Sequence, residues 1–233
     1  MDDLGGLLAG VAPADVRAGD VLVVAHKAVS KAEGRVLRLS EVEPGAEALA
    51  LAARQDKDPR VAQAILDESV AILREGHGVV VCETHDGWIC ANAGVDASNT
   101  ANDGELVLLP RDPDGSACSL RARVAERLGV RPAVVISDTF GRAWRLGQTD
   151  VALGVAGLVP LDDWSGRADA RGRELDATAI AVADTVAAAA DLARAKDSHQ
   201  PAVLVRGLGR FVTDVDGPGA AALRRPREDD LFR

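Results

Sequence analysis

The sequence predicts an α+β fold of mixed α/β type, in which mixed sheets are flanked by helices. Short β-branched runs alternate with longer helical runs along the chain. Two of the short runs, 78–82 and 88–91, are joined by a His-Asp-Gly turn, which is typical of a hairpin. The other strands alternate with helices, as they do in βα units. Hairpins combined with βα units indicate mixed sheets.

The first half of the chain predicts a strand and a helix before this hairpin. The run from Asp20 to Val24 is β-branched and follows a turn at Gly19, so we expect a strand there. Pro59 suits the first position of a helix, and apolar residues recur after it with helical spacing. These apolar residues are Val61, Ile65, Leu66, Val70 and Leu73. The pattern predicts a helix over 59–75.

The second half predicts two helices and two strands, over 116–128, 176–195, 133–137 and 201–205. Ser116 and Asp176 are plausible N-caps, because their side-chain oxygens can accept hydrogen bonds from unpaired backbone N–H groups. Gly129 suits the residue just past a helix end. The connecting segments are polar and rich in Gly, Pro and Asp, which is typical of loops.

Length and composition limit the class of protein. We expect the 233 residues, 47% of them hydrophobic, to form a single domain over 1–233. The formal net charge of −9 argues against nucleic-acid binding, which normally needs a basic face. No apolar run approaches the roughly 20 residues that span a bilayer, and the acidic N-terminus lacks the basic start of a secretory signal. We therefore expect a cytoplasmic protein with no membrane partner.

The cysteines indicate reduced thiols rather than a disulfide framework. Cys82, Cys90 and Cys118 are odd in number and show no CxxC spacing. His85 lies near the first two in the sequence, but this small set makes a poor zinc site.

The most informative stretch runs from Asp138 to Arg145, directly after the strand predicted at 133–137. Ligands usually bind beyond strand ends in open α/β proteins. Oxygens of Asp138 and Thr139 suit Mg²⁺ or Mn²⁺, and the forks of Arg142 and Arg145 match carboxylate or phosphate oxygens. The stretch predicts a metal-phosphate site. An Asp-initiated turn with two surface arginines is the alternative.

Two other windows carry candidate binding residues. His26–Arg35 contains Lys27 and Lys31, two of only four lysines in the chain, and an ammonium group suits a nucleotide phosphate. A solvated strand end is the alternative interpretation. In the second window, Asn92–Asn99, Asp96 could bind a metal and Asn99 could both donate and accept hydrogen bonds. Asp and Asn are also ordinary turn residues, so the second window has a structural alternative too.

Taken together, these windows resemble the coenzyme F420-0:L-glutamate ligase family, also described as F420-0:gamma-glutamyl ligases. The matching segments are VSKAEGR at 29–35, NAGVDASN at 92–99, LLPRDPDGSA at 108–117, DTFGRAWRLGQTDVALGVAGL at 138–158 and PAVLVRGLG at 201–209. The resemblance spans about residue 19 to the C-terminus. It implies the fold of that family and a ligase that forms carbon-nitrogen bonds.

The resemblance implies a particular reaction and particular partners. Such a ligase joins L-glutamate to the phospholactate-type tail of coenzyme F420-0, and adds further γ-linked glutamates, by way of an acyl phosphate formed from GTP. It implies two divalent ions, Mg²⁺ or Mn²⁺, with K⁺ as a further candidate ion. It also implies a homodimer, in which a partner could cover the edges of the hairpin at 78–91.

Site residues are carried over position by position. By resemblance, Asp96 and Asp138 are ligands of the first metal ion, and Thr139 and Asp216 are ligands of the second. Asp138 is also a candidate catalytic residue. These assignments would place four oxygen-bearing side chains from distant parts of the chain in one site.

The nucleotide site is carried over in the same way. Lys31 and Asn99 are nucleotide contacts by resemblance, and the segment 215–222, with Asp216 and Gly217, is a phosphate-binding backbone. His26 stands where the family often has a serine that touches the nucleotide.

Arg142 and Trp144 have more than one interpretation. Arg142, a second candidate catalytic residue, could bind the cofactor phosphate or the glutamate carboxylates, or it could form an internal ion pair. Trp144 could stack on a deazaflavin or guanine ring, or it could be a core or interface residue.

The termini depart from the family pattern. Family members carry a GLPE- or GLPL-type segment that contributes to the GTP pocket, and this chain begins at Met1-Asp2-Asp3-Leu4 without it. We expect either a misassigned start of the chain or an incomplete nucleotide site. The C-terminal DDLF resembles the point at which two-domain relatives continue into a flavin-binding domain, and we expect no such domain here. A missing loop gives one alternative function, a cofactor-binding relative that cannot use GTP. The clustered Asp and Thr residues give a second, a metal-dependent phosphohydrolase.

Overall fold

The computed structural model describes residues 3–76, 78–195 and 197–232. The helices are α1 Leu4–Val11, α2 His26–Ala32, α3 Ala46–Gln55, α4 Pro59–Asp67, α5 Pro113–Leu128 and α6 Val182–Ala193. The strands are β1 Val21–Ala25, β2 Val36–Arg38, β3 Ser69–Gly76, β4 Val79–Thr84, β5 Ile89–Ala91, β6 Glu105–Val107, β7 Ala133–Arg142, β8 Arg145–Ala156, β9 Leu161–Asp163, β10 Ala179–Ala181 and β11 Ala202–Val205. The α+β class predicted from the sequence is confirmed.

A four-stranded sheet in the order β11-β1-β7-β8 forms the centre of the fold. Strands β1 and β7 run parallel, whereas β11 and β8 flank them in antiparallel orientation. Successive side chains of a strand point to opposite faces, so Val21 and Val23 pack against α6 while Val24 packs with α2 and α5. Both faces of β1 are therefore buried, which explains its uninterrupted apolar sequence.

A smaller unit of structure packs beside this sheet. Strands β3, β4 and β5 form an antiparallel sheet, which helices α3 and α4 cover through a core that includes Leu51 and Ile65. The predicted hairpin is confirmed, since β4 and β5 pair directly and place Cys82 opposite Cys90. Strands β2 and β6 pair with each other, as do β9 and β10. None of the described helices is long and apolar enough to cross a membrane.

The predicted helix over 59–75 was wrong beyond Asp67. Residues Ser69–Gly76 form β3, which pairs along its length with β4. The apolar spacing of 61–73 is compatible with a helix, but the hydrogen-bonded ladder to β4 decides the conformation of its second half. Asp58 accepts a hydrogen bond from the N–H of Arg60 and caps the start of the shorter helix.

The two helices predicted in the second half of the chain begin at residues other than the expected ones. Helix α5 begins at Pro113, and its N-cap is Asp112, whose Oδ1 accepts from the Gly115 N–H at 2.9 Å, so Ser116 lies inside the helix. Gly129 ends this helix with φ of 70°, as predicted. Helix α6 begins at Val182 rather than at Asp176, because the residues before it pair with β9 as strand β10.

The prediction that Asp138–Arg145 lies beyond a strand end was also wrong. Strand β7 continues to Arg142 and pairs with β8 down to the Arg142–Arg145 pair, where only Ala143 and Trp144 connect the two strands. The outer part of this hairpin, residues 140–149, is largely exposed and extends from the central sheet as an arm. We call it the β7–β8 arm.

A buried arginine fixes the C-terminal segment to this fold. The Arg121 side chain is 1% exposed. Its Nε donates to the carbonyl of Pro132 at 3.0 Å, Nη1 to Asp216 Oδ1 at 2.7 Å, and Nη2 to the carbonyl of Thr213. Gly157 must be glycine here, because its φ is +74° and a Cβ would lie 2.1 Å from the guanidinium carbon.

We expect Arg121→Met to lower the free energy of unfolding by about 3–5 kcal/mol, because the carbonyls and the carboxylate lose a buried cationic partner. Chemical denaturation measures this change. Arg123→Met is the matched control, since Arg123 lies on the same helix but is exposed and pairs with Asp3 and Glu126 at the surface. Equal losses in the two variants would contradict the structural role of Arg121.

Candidate active site

A cavity of about 480 Å³ lies at one end of the central sheet. One wall is the start of α2, from His26 to Lys31, and Asn99 and Thr100 lie beside it. Ser137, Asp138 and Thr139 of β7 and Asp150 of β8 also line the cavity. The opposite wall comes from described residues between Asp191 and Pro201. The volume of the cavity is within the range of small-molecule binding sites.

Parallel pairing of β1 and β7 brings His26 to Asp138. Ala25, the last residue of β1, is in register with Ser137, so the next residue of each strand enters the cavity. His26 is 2% exposed, and its Nε2 lies 3.3 Å from Asp138 Oδ1. The two atoms lack hydrogen-bond geometry, and within the described residues Nε2 has no hydrogen-bond partner. On the other side of the ring, Ser30 Oγ lies 3.5 Å from Nδ1.

Asp150 is the most buried carboxylate in the cavity wall, at 1% exposed. Thr139 lies opposite it across the β7–β8 ladder and donates to Oδ1 at 2.7 Å. Ser137 Oγ donates to Oδ2 at 2.8 Å, and Arg194 Nη2 forms an ion pair with the same oxygen. Two hydroxyl donors and one guanidinium thus compensate a charge that would be costly to bury alone.

Asp96 and Lys27 form a second charged contact near the cavity. Lys27 Nζ lies 2.7 Å from Asp96 Oδ2, and the Ser98 N–H donates to Oδ1 at 2.6 Å. Burial acts to raise the pKa of Asp96, but the hydrogen bonds from Lys27 and Ser98 outweigh it, so the net pKa is lowered. Asp96 is therefore an anion at neutral pH.

The predicted nucleotide contacts Lys31 and Asn99 lie together. Lys31 Nζ donates to the backbone carbonyl of Asn99 at 2.6 Å, and both residues line the cavity. Asn99 has φ of 57°, a left-handed conformation that Asn tolerates better than most residues. The contact holds the lysine ammonium at the cavity wall.

Asp216 and Gly217 lie apart from this cavity. Asp216 Oδ1 accepts from Arg121 at 2.7 Å and from Arg131 at 2.9 Å. The backbone of 215–222 is also engaged within the fold, since Asp114 accepts from the N–H groups of Ala220 and Ala221. A buried arginine needs an anionic partner. Asp216 is that partner for Arg121, and it does not lie beside Asp138.

Arg142 is likewise outside the cavity lining. It lies on the exposed β7–β8 arm, where Nη2 donates to the carbonyl of Leu146 at 2.5 Å and Nε to that of Gly147 at 3.3 Å. Its guanidinium stabilises the turn of the arm. Of the two interpretations left open for Arg142, the structure shows an internal contact, made with backbone carbonyls instead of an acidic side chain.

Oxygen donors dominate the cavity end of the sheet, although within the described residues no three His, Cys, Asp or Glu side chains form a preassembled metal cluster. The Asp138 side chain is 18% exposed and lines the cavity beside Thr139, a donor set whose hard oxygens suit Mg²⁺ or Mn²⁺.

The cysteines are free thiols, and burial together with the charge of Asp138 raises the pKa of Cys90 to about 12. That thiol remains protonated at neutral pH.

Sequence reasoning missed Asp150 and Arg194. Asp150 occurs within the 138–158 segment, and its role follows from the hairpin register that places it opposite Thr139. Recognising 138–158 as two paired strands would have revealed that contact. No comparable local signal identifies Arg194, whose partner Asp150 is 44 residues away.

Comparison with known proteins gives a consistent result. The model of the F420-0:Gamma-glutamyl ligase family matches residues 2–207, a range that ends before Asp216. A relative in Methanothermobacter thermautotrophicus is 49% identical over 94% of this chain and 86% of its own length. Relatives in Methanopyrus kandleri and Archaeoglobus fulgidus are 45% and 44% identical, over 100% and 92% of this chain and 92% and 84% of their own lengths. All three are named coenzyme F420:L-glutamate ligase.

We expect Lys27→Met to raise the pKa of Asp96, because the hydrogen bond and the charge of Lys27 would no longer oppose the effect of burial, while the hydrogen bonds from Ser98 remain. An NMR titration of the Asp96 carboxyl carbon measures the change. Stability conferred by the lowered pKa is present above the unfolded-state value, about 3.9, and is lost as the pH falls below it. Lys57→Met is the matched control, and an unshifted Asp96 titration in Lys27→Met would contradict the expectation.

Proposed function

We propose, because this chain belongs to the F420-0:gamma-glutamyl ligase family, that it uses GTP to join L-glutamate to the tail of coenzyme F420-0 and then adds further γ-linked glutamates. The chain is a ligase of the coenzyme F420:L-glutamate class in coenzyme F420 biosynthesis. One observation supports the proposed site above all. A single cavity gathers Lys31, Asn99, Asp138 and Thr139, which come from three separate segments that resemble the family, and His26 lines the same cavity.

The proposed chemistry follows from the nature of a carboxylate. A free carboxylate is a poor electrophile, so the tail carboxylate first needs activation. An oxygen of that carboxylate would form a bond to the γ-phosphorus of GTP while the bond to the β–γ bridging oxygen breaks, which yields an acyl phosphate and GDP. The amine of L-glutamate would then attack the acyl carbon, phosphate would leave, and the amine would lose a proton. The protein has to align the reactants and compensate developing charge.

The charges in the cavity define what GTP binding requires. Among its described lining residues, the cationic side chains Lys27, Lys31 and Arg194 are balanced by Asp138, Asp150 and Asp191. A triphosphate carries several negative charges, which such a balanced lining cannot neutralise. Additional cations are needed, and this supports the proposal of two divalent ions.

Asp138, Thr139 and Asp96 would hold the divalent ions. Bound there, Mg²⁺ or Mn²⁺ would neutralise phosphate oxygens and favour their alignment with the attacking carboxylate. The Lys27 ammonium forms an ion pair with Asp96 Oδ2 in the structure, so a metal ion and this ammonium would compete for the carboxylate. Lys31, held by the Asn99 carbonyl, would place its charge on the nucleotide phosphates.

We also propose a homodimer that forms through the β7–β8 arm. Trp144 and Leu146 on the arm are 79% and 96% exposed, and Leu231 and Phe232 of the C-terminal segment are 87% and 62% exposed. The rings of Trp144 and Phe232 lie 5.9 Å apart, so the two segments contribute to one apolar surface. Such surfaces mark interaction sites, and a second copy of the chain is the partner that the family resemblance implies.

Mass spectrometry of coenzyme F420-0 incubated with the protein, GTP, Mn²⁺ and L-glutamate tests the ligase activity. We expect products separated by glutamyl units, and we expect Asp138→Asn to reduce their rate of formation by about 100-fold or more while the fold is kept. Asp103→Asn, at an exposed position, is the control. GTP hydrolysis that proceeds equally without L-glutamate would instead indicate a phosphohydrolase.

Light scattering tests the proposed assembly. The parent protein should show about twice the chain mass of 24.2 kDa. Replacing both Trp144 and Leu146 by Asp should give monomers, because the interface would have to bury uncompensated carboxylates. Val11→Asp, at a residue that is 82% exposed on α1, should remain dimeric. A monomeric parent at micromolar concentration would refute the assembly.

A further inference from the structure

Arg194 is a buried cation in the wall of the cavity. It follows directly after α6, and its side chain is only 9% exposed. Nη2 forms an ion pair with Asp150 and donates to Ser137 Oγ at 3.1 Å. Asp150 is itself held by Thr139, so the guanidinium rests on a fixed carboxylate at the end of the central sheet.

The second terminal nitrogen of Arg194 has no partner among the described residues. Nη1 is buried and makes no hydrogen bond to any residue that the structure describes. Arg121, which is fully buried, provides the contrast, because its Nε, Nη1 and Nη2 all donate to protein oxygens. An arginine that serves packing alone is normally satisfied in this way, since an unpaired buried donor is costly.

We infer that Arg194 Nη1 binds an anionic oxygen of a substrate and thereby selects that substrate. The inference rests on the proposed function, because it places the reactants in this same cavity. The guanidinium fork matches carboxylate and phosphate oxygens, and Asp150 fixes its orientation before a ligand arrives. Three sources offer such an oxygen: the GTP phosphates, the L-glutamate carboxylates, and the phosphate or carboxylate of the coenzyme F420-0 tail.

Arg194→Lys is the most direct test. Lysine keeps a cation opposite Asp150 but has a single nitrogen, so it cannot bind Asp150 and a ligand with the same fork geometry. Calorimetric titrations with GTP, with L-glutamate and with coenzyme F420-0, each in the presence of Mn²⁺, identify the source. We expect affinity for one of the three to fall by roughly 10- to 150-fold while the others stay within about twofold. Arg206→Lys, at an exposed ion pair with Asp15, is the matched control.

A second variant separates ligand binding from folding. Replacing Arg194 by Gln and Asp150 by Asn together removes both charges, so no carboxylate is left buried and unpaired. This double variant should fold and should weaken binding of the same substrate. Unchanged binding of all three probes in folded variants would overturn the inference, as would uniform weakening of all three, which is the mark of a structural role.

The titrations do not depend on turnover, and this keeps the two proposals distinguishable. A parent protein that binds its probes but forms no glutamyl product would refute the proposed ligase mechanism while the role of Arg194 could still be measured. A parent protein that makes product, with variants that bind every substrate as tightly as the parent, would refute only the role of Arg194.

Discussion

The parallel pairing of β1 with β7 is the constraint on which the candidate site depends. Strand β1 and the first half of β7 are buried on both faces, and their register sets Ala25 beside Ser137. Packing on both faces fixes this register. The residues that come directly after Ala25 and Ser137 therefore lie next to each other. His26 and Asp138 are therefore brought within 3.3 Å of each other without any local sequence signal that links them.

Two arginines of low exposure differ in how many of their donor nitrogens have partners. The donor nitrogens of Arg121 bind carbonyl oxygens and Asp216, and these bonds hold the C-terminal segment in place next to Gly157. Arg194 is held by Asp150 through one terminal nitrogen, and the other nitrogen has no partner among the described residues. The same side-chain chemistry serves the fold where every donor is used and suits a ligand where one donor is left over.

The charge balance of the cavity links these details to the chemistry of the family. Lys27 binds Asp96, and Arg194 binds Asp150, so two of the carboxylates near the cavity already have cationic partners. Among the described residues, the buried His26 ring is a close contact of Asp138, which also lines the cavity. The GTP of the proposed function would therefore bring its own cations or displace an existing ion pair.

The sequence by itself determined the family, the fold class, the β4–β5 hairpin and the segments that supply most of the cavity. It did so because apolar periodicity, turn residues and long motifs are local properties that survive in one dimension. It did not determine that β7 continues through Asp138, because that strand is held by cross-strand pairing with β8.

Only the tertiary structure decided the partners of the charged residues. Asp216 pairs with Arg121, 95 residues away, and Asp150 pairs with Arg194, 44 residues away. A sequence shows which side chains are charged, but the energy of a charge depends on its burial and on the partner that the fold places beside it. Burial and partners therefore distinguish the charged residues that line the cavity from charged residues of the same type that stabilise the fold.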